Sequence, residues 1–410
     1  MAEQTISTAR MCQHIRDWPS ADSPFFFSNS SVSMLACGAR SRFQQSLSRP
    51  RLAATVNNWL QAQRHDRHDN PIAFGVIPFN ESTPARFVLP QHTLISEPLT
   101  PPIAPDFWPE NPLLSVTSLP DAESFKHSVK SAIAQMQSGT LQKVVLARAL
   151  TLGFTNPLQP EQLLLTLIQK NPSAFNFCAP LSDVQGQGKW LLGSSPELLI
   201  RKQADHFSAN PLAGSRKRAS YSEQNRELEA TLLNSPKDRH EHAIVVAAMQ
   251  QALRPFARRI TVPRSPSVIS TGTMLHLSTL IEGTLTGDHH VLELAAALHP
   301  TPAVCGQPLA AAHQYIQLSE PFSRGYFTGL VGWCDAQGNG EWAIAIRCAE
   351  MHGQSLTACA GAGIVASSQA NEELTEISDK LSTILQAAGV SPQALNFAGR
   401  CAAQKATVNG

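Results

Sequence analysis

The sequence predicts an α+β fold, and three observations lead to it. Near the C-terminus three β-rich runs follow one another with only short turns between them, as in an antiparallel meander. Helices stand between other strands, but meanders dominate, which favours α+β over a doubly wound parallel sheet. The glycine motif Gly361-Ala362-Gly363-Ile364-Val365-Ala366 matches a dinucleotide fingerprint, yet one helix follows it and then the chain ends. A βαβ unit has no room for its second strand there, so a nucleotide-binding sheet is not expected.

The elements follow in order. Residues 96–120 hold Pro98, Pro101, Pro102, Pro105, Pro109, Pro112 and Pro120, a connection between an N-terminal part (1–95) and a longer part (121–390). Phe125, Val129, Ile133 and Met136 recur at helical spacing and Gly139 follows as a stop, predicting a helix over 121–137. Lys143-Val144-Val145-Leu146-Ala147-Arg148 is a β-branched run that reads as a buried strand. A helix near 160–170 and strands near 175–179 and 189–193 come next. Residues 236–253 read as a long helix, apolar around most of its circumference. Strands over 328–334 and 341–349 flank the turn 335–340, a third spans 355–360, and a last helix covers 371–387. The tail 391–410 is expected to be loose.

Composition excludes several classes. At 410 residues the chain can bury a large core, as two domains or as one body. Its 32 basic and 31 acidic residues give a net charge of +1, so no nucleic acid footprint is expected. The one basic run, Arg216-Lys217-Arg218, is short and reads as a solvated or substrate-facing loop. No apolar run reaches the roughly 18 residues that a bilayer span needs, so no membrane partner is expected. The start, Met1-Ala2-Glu3-Gln4, lacks the order of a signal peptide, and a cytoplasmic location follows as an expectation. Eight scattered cysteines without a C-x-x-C pair read as reduced core residues.

Several constellations could carry chemistry. On the last helix Glu373, Glu376 and Lys380 share one face, beside the stripe Leu374, Ile377, Leu381 and Ile384. From spacing alone a solvated face with a Glu376–Lys380 pair is favoured. Glu241 precedes Val245 and Ala248 on its own helix face and would point inward, where a carboxylate is costly unless paired or metal-bound. Two glutamates from different helices, with waters and a ligand carboxylate, would suit Mg2+. A zinc site from His240 and His242 is rejected, because residues two apart on a helix point about 200° apart. Arg347 is placed on a strand face with Ala343 and Ala345, where it could fork a ligand carboxylate or simply snorkel. The Gly361 and Gly363 backbone just before a helix favours anion binding, and Leu212-Ala213-Gly214-Ser215-Arg216 could do the same on another loop. Lys143, opening a strand, and Glu197, after the turn Ser194-Ser195-Pro196, are separately unremarkable.

Together these segments resemble the chorismate-utilising enzyme family over about residues 120–390. The landmarks are Lys143 to Arg148, Gly193-Ser194-Ser195-Pro196-Glu197-Leu198, Pro211 to Ser215 and Lys237-Asp238-Arg239-His240-Glu241-His242. His276-Leu277, His299 to Gly306, Gly329-Leu330-Val331-Gly332-Trp333, Ile346 to Ala349 and Gly361 to Val365 complete them. The 238–242 version of the metal helix and Pro24-Phe25-Phe26-Phe27-Ser28 resemble the branch of isochorismate synthases that serve enterobactin-type catechol siderophores. The resemblance implies two large, mainly antiparallel sheets packed as a sandwich with flanking helices, the fold of anthranilate synthase component I, with 1–95 part of the same unit.

It also implies roles. Glu241 and Glu376 would coordinate Mg2+ holding the ring carboxylate of chorismate, with Glu373 and Asp238 near it. Arg347 and the Gly361 and Gly363 backbone would take the enolpyruvyl carboxylate. Gly214, Ser215, His276, Ala303, Val304, Phe327 and Lys380 would line the pocket. Lys143 would be the general base toward water attacking C2, and Glu197 the general acid toward the departing C4 hydroxyl. A lysine serves as a base near neutral pH only if burial or positive charge lowers its pKa from about 10.4. A glutamate serves as the acid only if desolvation or a neighbouring carboxylate keeps it protonated. Cys359, where relatives more often carry an aromatic residue, and Val304 with Cys305 depart from the family pattern and could alter the pocket shape. Alternatives are a salicylate synthase, a menaquinone-pathway isochorismate synthase and a catalytically silent chorismate-binding homologue. A monomer is expected, with a downstream isochorismatase as pathway partner.

Overall fold

The β-branched run at 143 opens a twelve-residue strand, Lys143–Phe154, around which one sheet is built. In the computed structural model the described residues are 4–17, 25–64, 69–100, 111–182 and 188–391. Pro24, four of the prolines of the connection (Pro101, Pro102, Pro105 and Pro109) and the tail from 392 lie outside them. Lys143–Phe154 pairs antiparallel with Ser355–Ile364, from Val144 opposite Ile364 to Gly153 opposite Ser355. Its other edge takes Gly306–Gln307 and Leu113–Leu119. Beyond Ser355–Ile364 this sheet, eleven-stranded among the described residues, continues through Cys348–His352, Lys189–Ser195, Phe175–Pro180, Phe25–Ser28, Ser33–Cys37 and His92–Ser96 to Gln4–Thr5.

A second sheet has nine strands among the described residues. It runs from Ala257–Thr261 through Ile281–Leu285, His206–Asn210, Leu198–Gln203, Gly340–Ile344 and Leu330–Asp335 to Ile72–Ile77, Ala85–Leu89 and Ser41–Gln45. The sheets meet face to face: Phe27, Phe177 and Leu191 from the first pack with Phe74, Val76, Val331 and Ala343 from the second. Each such side chain contributes roughly 1.5–3 kcal/mol when fully buried. Helices Ala122–Gln137, Pro160–Lys170 and Ala370–Ala387 cover the outer face of the first sheet. Helices Arg49–Gln61, Pro236–Leu253 and Val291–Leu298 cover the second. A small sheet of Leu212–Lys217, Met274–Ser278 and Ser267–Ser270 stands beside them. This is the α+β sandwich the sequence predicts.

Most helices start where their chemistry says. Asp121 caps Ala122–Gln137 by accepting from the Glu123 and Ser124 amides. Four expectations change. The single strand over 341–349 breaks at 345–347, so Gly340–Ile344 stays in the nine-stranded sheet and Cys348–His352 joins the other. Arg347, with φ +49, lies in that break and not on a pleated face. Residues 212–216 and the glycines at 361 and 363 lie in strands, not loops, because each finds a neighbouring strand to pair with. Finally, Pro236–Leu253 buries Asp238, Glu241, His242, Val245, Met249 and Leu253 while Ala243 and Ala247 are exposed, so it is one-sided. The proline-rich connection also yields the unforeseen strand Leu113–Leu119, whose burial is too slight to leave a clear pattern.

Candidate active site

The chain crosses from one sheet to the other at two neighbouring places. Lys189–Ser195 passes through Pro196 and Glu197 into Leu198–Gln203, and Gly340–Ile344 passes through 345–347 into Cys348–His352. The crossings are tied together: the Ser194 amide donates to Arg347 O at 3.0 Å and the Ile344 amide to Glu197 O at 3.1 Å. Main chain that leaves a sheet frees side chains from the pleat, and Glu197 and Arg347 turn into one chamber. Gly214, Ser215 and His276 from the small sheet line it, as do Ala303, Val304 and Phe327 from loops. Gly361, Gly363, Glu241, Glu376 and Lys380 complete the expected residues on its wall. Lys143 and Glu373 stand behind that lining.

Three lysines pair with three glutamates here. The wholly buried Lys143 Nζ lies 2.9 Å from Glu241 Oε1, though not aligned as a hydrogen bond. Lys237 Nζ lies 2.6 Å from Glu373 Oε1, and Lys380 Nζ 2.6 Å from Glu376 Oε1. The Glu376–Lys380 pair expected on a solvated face is therefore present but turned inward. Lys380 also donates to Gly361 O at 2.9 Å, and Ser215 Oγ to Glu376 Oε1 at 2.9 Å. Burial alone would push the Glu376 carboxyl up; the Lys380 charge and hydrogen bond, with Ser215 and Lys237, outweigh it and leave it lowered. Burial and the neighbouring Glu376 charge raise Glu373 against the pull of Lys237.

Glu197 differs from these carboxylates. It is buried without an ion pair of its own, and desolvation pushes its carboxyl up to about 7 despite the Leu212 amide, Lys143, Arg347 and Lys380. Arg347 is buried, and desolvation lowers its guanidinium to about 10, offset in part by Glu376 and Glu197. Its Nη2 lies 3.4 Å from His276 Nε2, and burial with the Arg347 and Lys380 charges keeps His276 far below its ordinary value and neutral. A cationic fork beside a neutral imidazole and backbone of small residues suits an anionic ligand.

The donor set suits a small hard cation. Glu241 and Glu376 offer oxygen on the wall, and Glu373 Oε2 is buried with no hydrogen-bond partner. Among the described residues no three His, Cys, Asp or Glu side chains gather closely enough to hold an ion alone. A cation would complete its shell with water and the bound anion, as Mg2+ does. Gly363 has no room for a side chain, because a Cβ there would fall on the Glu241 carboxylate. Gly214, at φ +78, lies where a Cβ would press on Asp238, which Arg216 Nη2 holds at 2.6 Å.

The basic run disperses: Arg216 pairs with Asp238, Lys217 with Asp379, and Arg218 donates to Thr271 O. His240 is exposed and His242 buried against Thr279 Oγ1 at 2.7 Å, as the helix geometry against zinc requires. Among the described residues Cys12, Cys178, Cys305, Cys334, Cys348 and Cys359 are free thiols. Sequence reasoning missed Lys237, Arg216 and Thr328. Lys237 lay inside a noted motif and Arg216 inside the basic run, whereas nothing local marks Thr328.

The family described as "chorismate binding enzyme" matches residues 103–389. The chain is 41% identical over 392 residues to the vibriobactin-specific isochorismate synthase of Vibrio cholerae, covering 95% of this chain and 98% of that protein. The crystal structure of DhbC from Bacillus anthracis superposes with a TM-score of 0.85 at 37% identity, covering 92% of this chain and 99% of that one. Anthranilate synthase component I from Streptococcus pneumoniae shares the fold, with a TM-score of 0.70 at 20% identity, over 86% of this chain and 92% of that one.

Proposed function

Because the chain belongs to the chorismate-binding enzyme family, we infer that it is an isochorismate synthase, converting chorismate to isochorismate for a catechol siderophore. The observation that carries the chemistry is Glu197, a buried carboxyl raised to about 7 in a chamber otherwise furnished with ion-paired acids. An acid that keeps its proton near neutrality can give it to the C4 hydroxyl, which then departs as water. In the same event the oxygen of a second water bonds to ring C2, the ring double bonds shift, and Lys143 takes the proton that this water releases. Arg347 beside neutral His276, with the backbone of Gly361 and Gly363, binds the enolpyruvyl carboxylate. Ser215 and Lys380 hold Glu376 in place.

Glu241 and Glu376, with Glu373 close by, would hold Mg2+. When bound, the ion neutralises and orients the ring carboxylate of the substrate. The fit of an all-oxygen donor set supports this, as does the glycine at 363 that leaves the Glu241 carboxylate its place. Among the described residues no helix is long and apolar enough to cross a membrane. Reading its scattered cysteines as reduced core residues, we place the enzyme in the cytoplasm as a monomer. An isochorismatase, which removes the enolpyruvyl side chain, would consume its product.

The test is incubation with chorismate and Mg2+, with products separated by chromatography and the reaction repeated in EDTA. Isochorismate at equilibrium with chorismate, without pyruvate and lost in EDTA, is the expected result. Salicylate with pyruvate would make the protein a lyase of the same family, and no conversion would make it a silent binder.

A further inference from the structure

Arg324, from the irregular segment 321–329, has no part in the chemistry above, yet it is among the most constrained side chains beside the chamber. It is 3 % exposed, and every one of its five N–H donors has a partner. Nε and Nη2 donate to the two carboxylate oxygens of Glu320, the former at 2.7 Å. Nη1 donates to Val304 O at 2.7 Å and to Thr328 Oγ1 at 3.4 Å, and Nη2 also donates to Val145 O at 2.8 Å. Val145, Val304 and Thr328 all line the chamber. So does Phe327, whose amide donates to Arg324 O at 2.8 Å.

Thr328 is the informative partner. Its φ of +60 is a costly conformation for a β-branched residue and persists only where surroundings over-determine it. Those surroundings are on every side. His299 Nε2 lies 2.7 Å from Thr328 O, while its Nδ1 accepts from Arg49 Nε at 3.0 Å, which makes Nε2 the donor. The Thr328 amide donates to Ala345 O at 2.8 Å, and the Ala345 amide returns a bond to Gly329 O at 2.8 Å. Ala345 opens the break that carries Arg347, itself at φ +49. One pair of backbone bonds thus ties Thr328 and Gly329 to Ala345, two residues before the strained Arg347.

We propose that Arg324 is a positioning residue: by anchoring Thr328 in its left-handed conformation it sets the main chain at Ala345, and so where the Arg347 guanidinium stands. This rests on the reading above, in which Arg347 binds a substrate carboxylate. The Val304 and Val145 carbonyls, held by the same fork, keep the chamber wall in register with it. A lysine cannot replace this fork, since it offers three donors from a single point.

The experiment is steady-state kinetics on chorismate with thermal unfolding of the same samples, for Arg324→Lys, Arg347→Lys and the double variant. Arg324→Lys should raise KM by between about tenfold and a hundredfold while kcat changes far less, as expected when a binding group is misplaced by a fraction of an ångström. In the Arg347→Lys background it should raise KM no further, because the group it positions is already lost. If the two KM penalties multiply, or kcat falls in step with the thermal midpoint, Arg324 only supports the fold and the proposal is wrong. Thr328→Gly guards against a variant that fails to fold, because glycine adopts a positive φ without strain. Since glycine needs no anchor to hold that φ, Arg324→Lys should raise KM far less in this background, and an undiminished rise would equally overturn the proposal. Wild-type turnover separates the two ideas: without it the functional reading fails and takes this inference with it, and with it only the positioning role is at stake.

Discussion

Glu197 follows proline in a turn, a place where glutamates are usually exposed, and only its burial between two sheets raises its carboxyl enough to suit the proposed proton donor. Its folded value of about 7 lies above that of the unfolded chain. The stability this group contributes is therefore fully present below the ordinary carboxyl value and is lost as pH rises through about 7. Activity should follow the same titration: kcat/KM of the free enzyme should decline above about pH 7. Glu197→Gln should cost about 10²- to 10⁴-fold in turnover and abolish that alkaline limb. A profile that stays flat well above neutrality in the wild-type chain would remove Glu197 as the proton donor. Lys143→Ala should lose turnover on the same order, about 10²- to 10⁴-fold. Near-normal rates would dismiss Lys143 as the base. Gly363→Ala should displace Glu241, and calorimetric titration with Mg2+ in the presence of chorismate should then show weakened binding.

The helix Ala370–Ala387 was legible as a helix, with Glu373, Glu376 and Lys380 on one face. Spacing could not say whether that face met water or a chamber, because an inward ion pair and a solvated one have the same sequence. Glu376→Gln should weaken Mg2+ dependence and substrate binding together, read as a rightward shift of the Mg2+ activation curve and a higher KM. Full activity at the wild-type Mg2+ requirement would refute the metal site. The strand over 341–349 was read with the right residues and the wrong continuity. Alternation of Ala343, Ala345 and Arg347 looks like one pleated face, and nothing local announces that Arg347 adopts φ +49 and sends the chain into the other sheet. The cap at Asp121 was within reach of sequence reasoning, and Asp121→Ala should lower the urea midpoint, because the Glu123 and Ser124 amides lose their acceptor.

Both sheets draw strands from the two ends of the chain. Phe25–Ser28 and Ser33–Cys37 extend the first sheet, and Ile72–Ile77 pairs with Leu330–Asp335 in the second. A chain beginning at residue 121 would leave open edges and uncover the core around Phe177 and Val331, so it should fail to unfold cooperatively in a thermal scan. A sharp transition in that fragment would show the two parts to be independent.

Local patterns determined the α+β class, the helix starts and the inward direction of Glu241, because these depend on periodicity and residue type along a single element. The family resemblance supplied the sandwich and the names of the site residues. Tertiary structure alone decided which carboxyl is raised to about 7, that each of Glu241, Glu373 and Glu376 meets its own lysine, and that Arg324 holds Thr328 beside the break that carries Arg347. Those depend on desolvation and on contacts between residues far apart in the chain, and the chamber itself exists only where two sheet crossings happen to lie side by side.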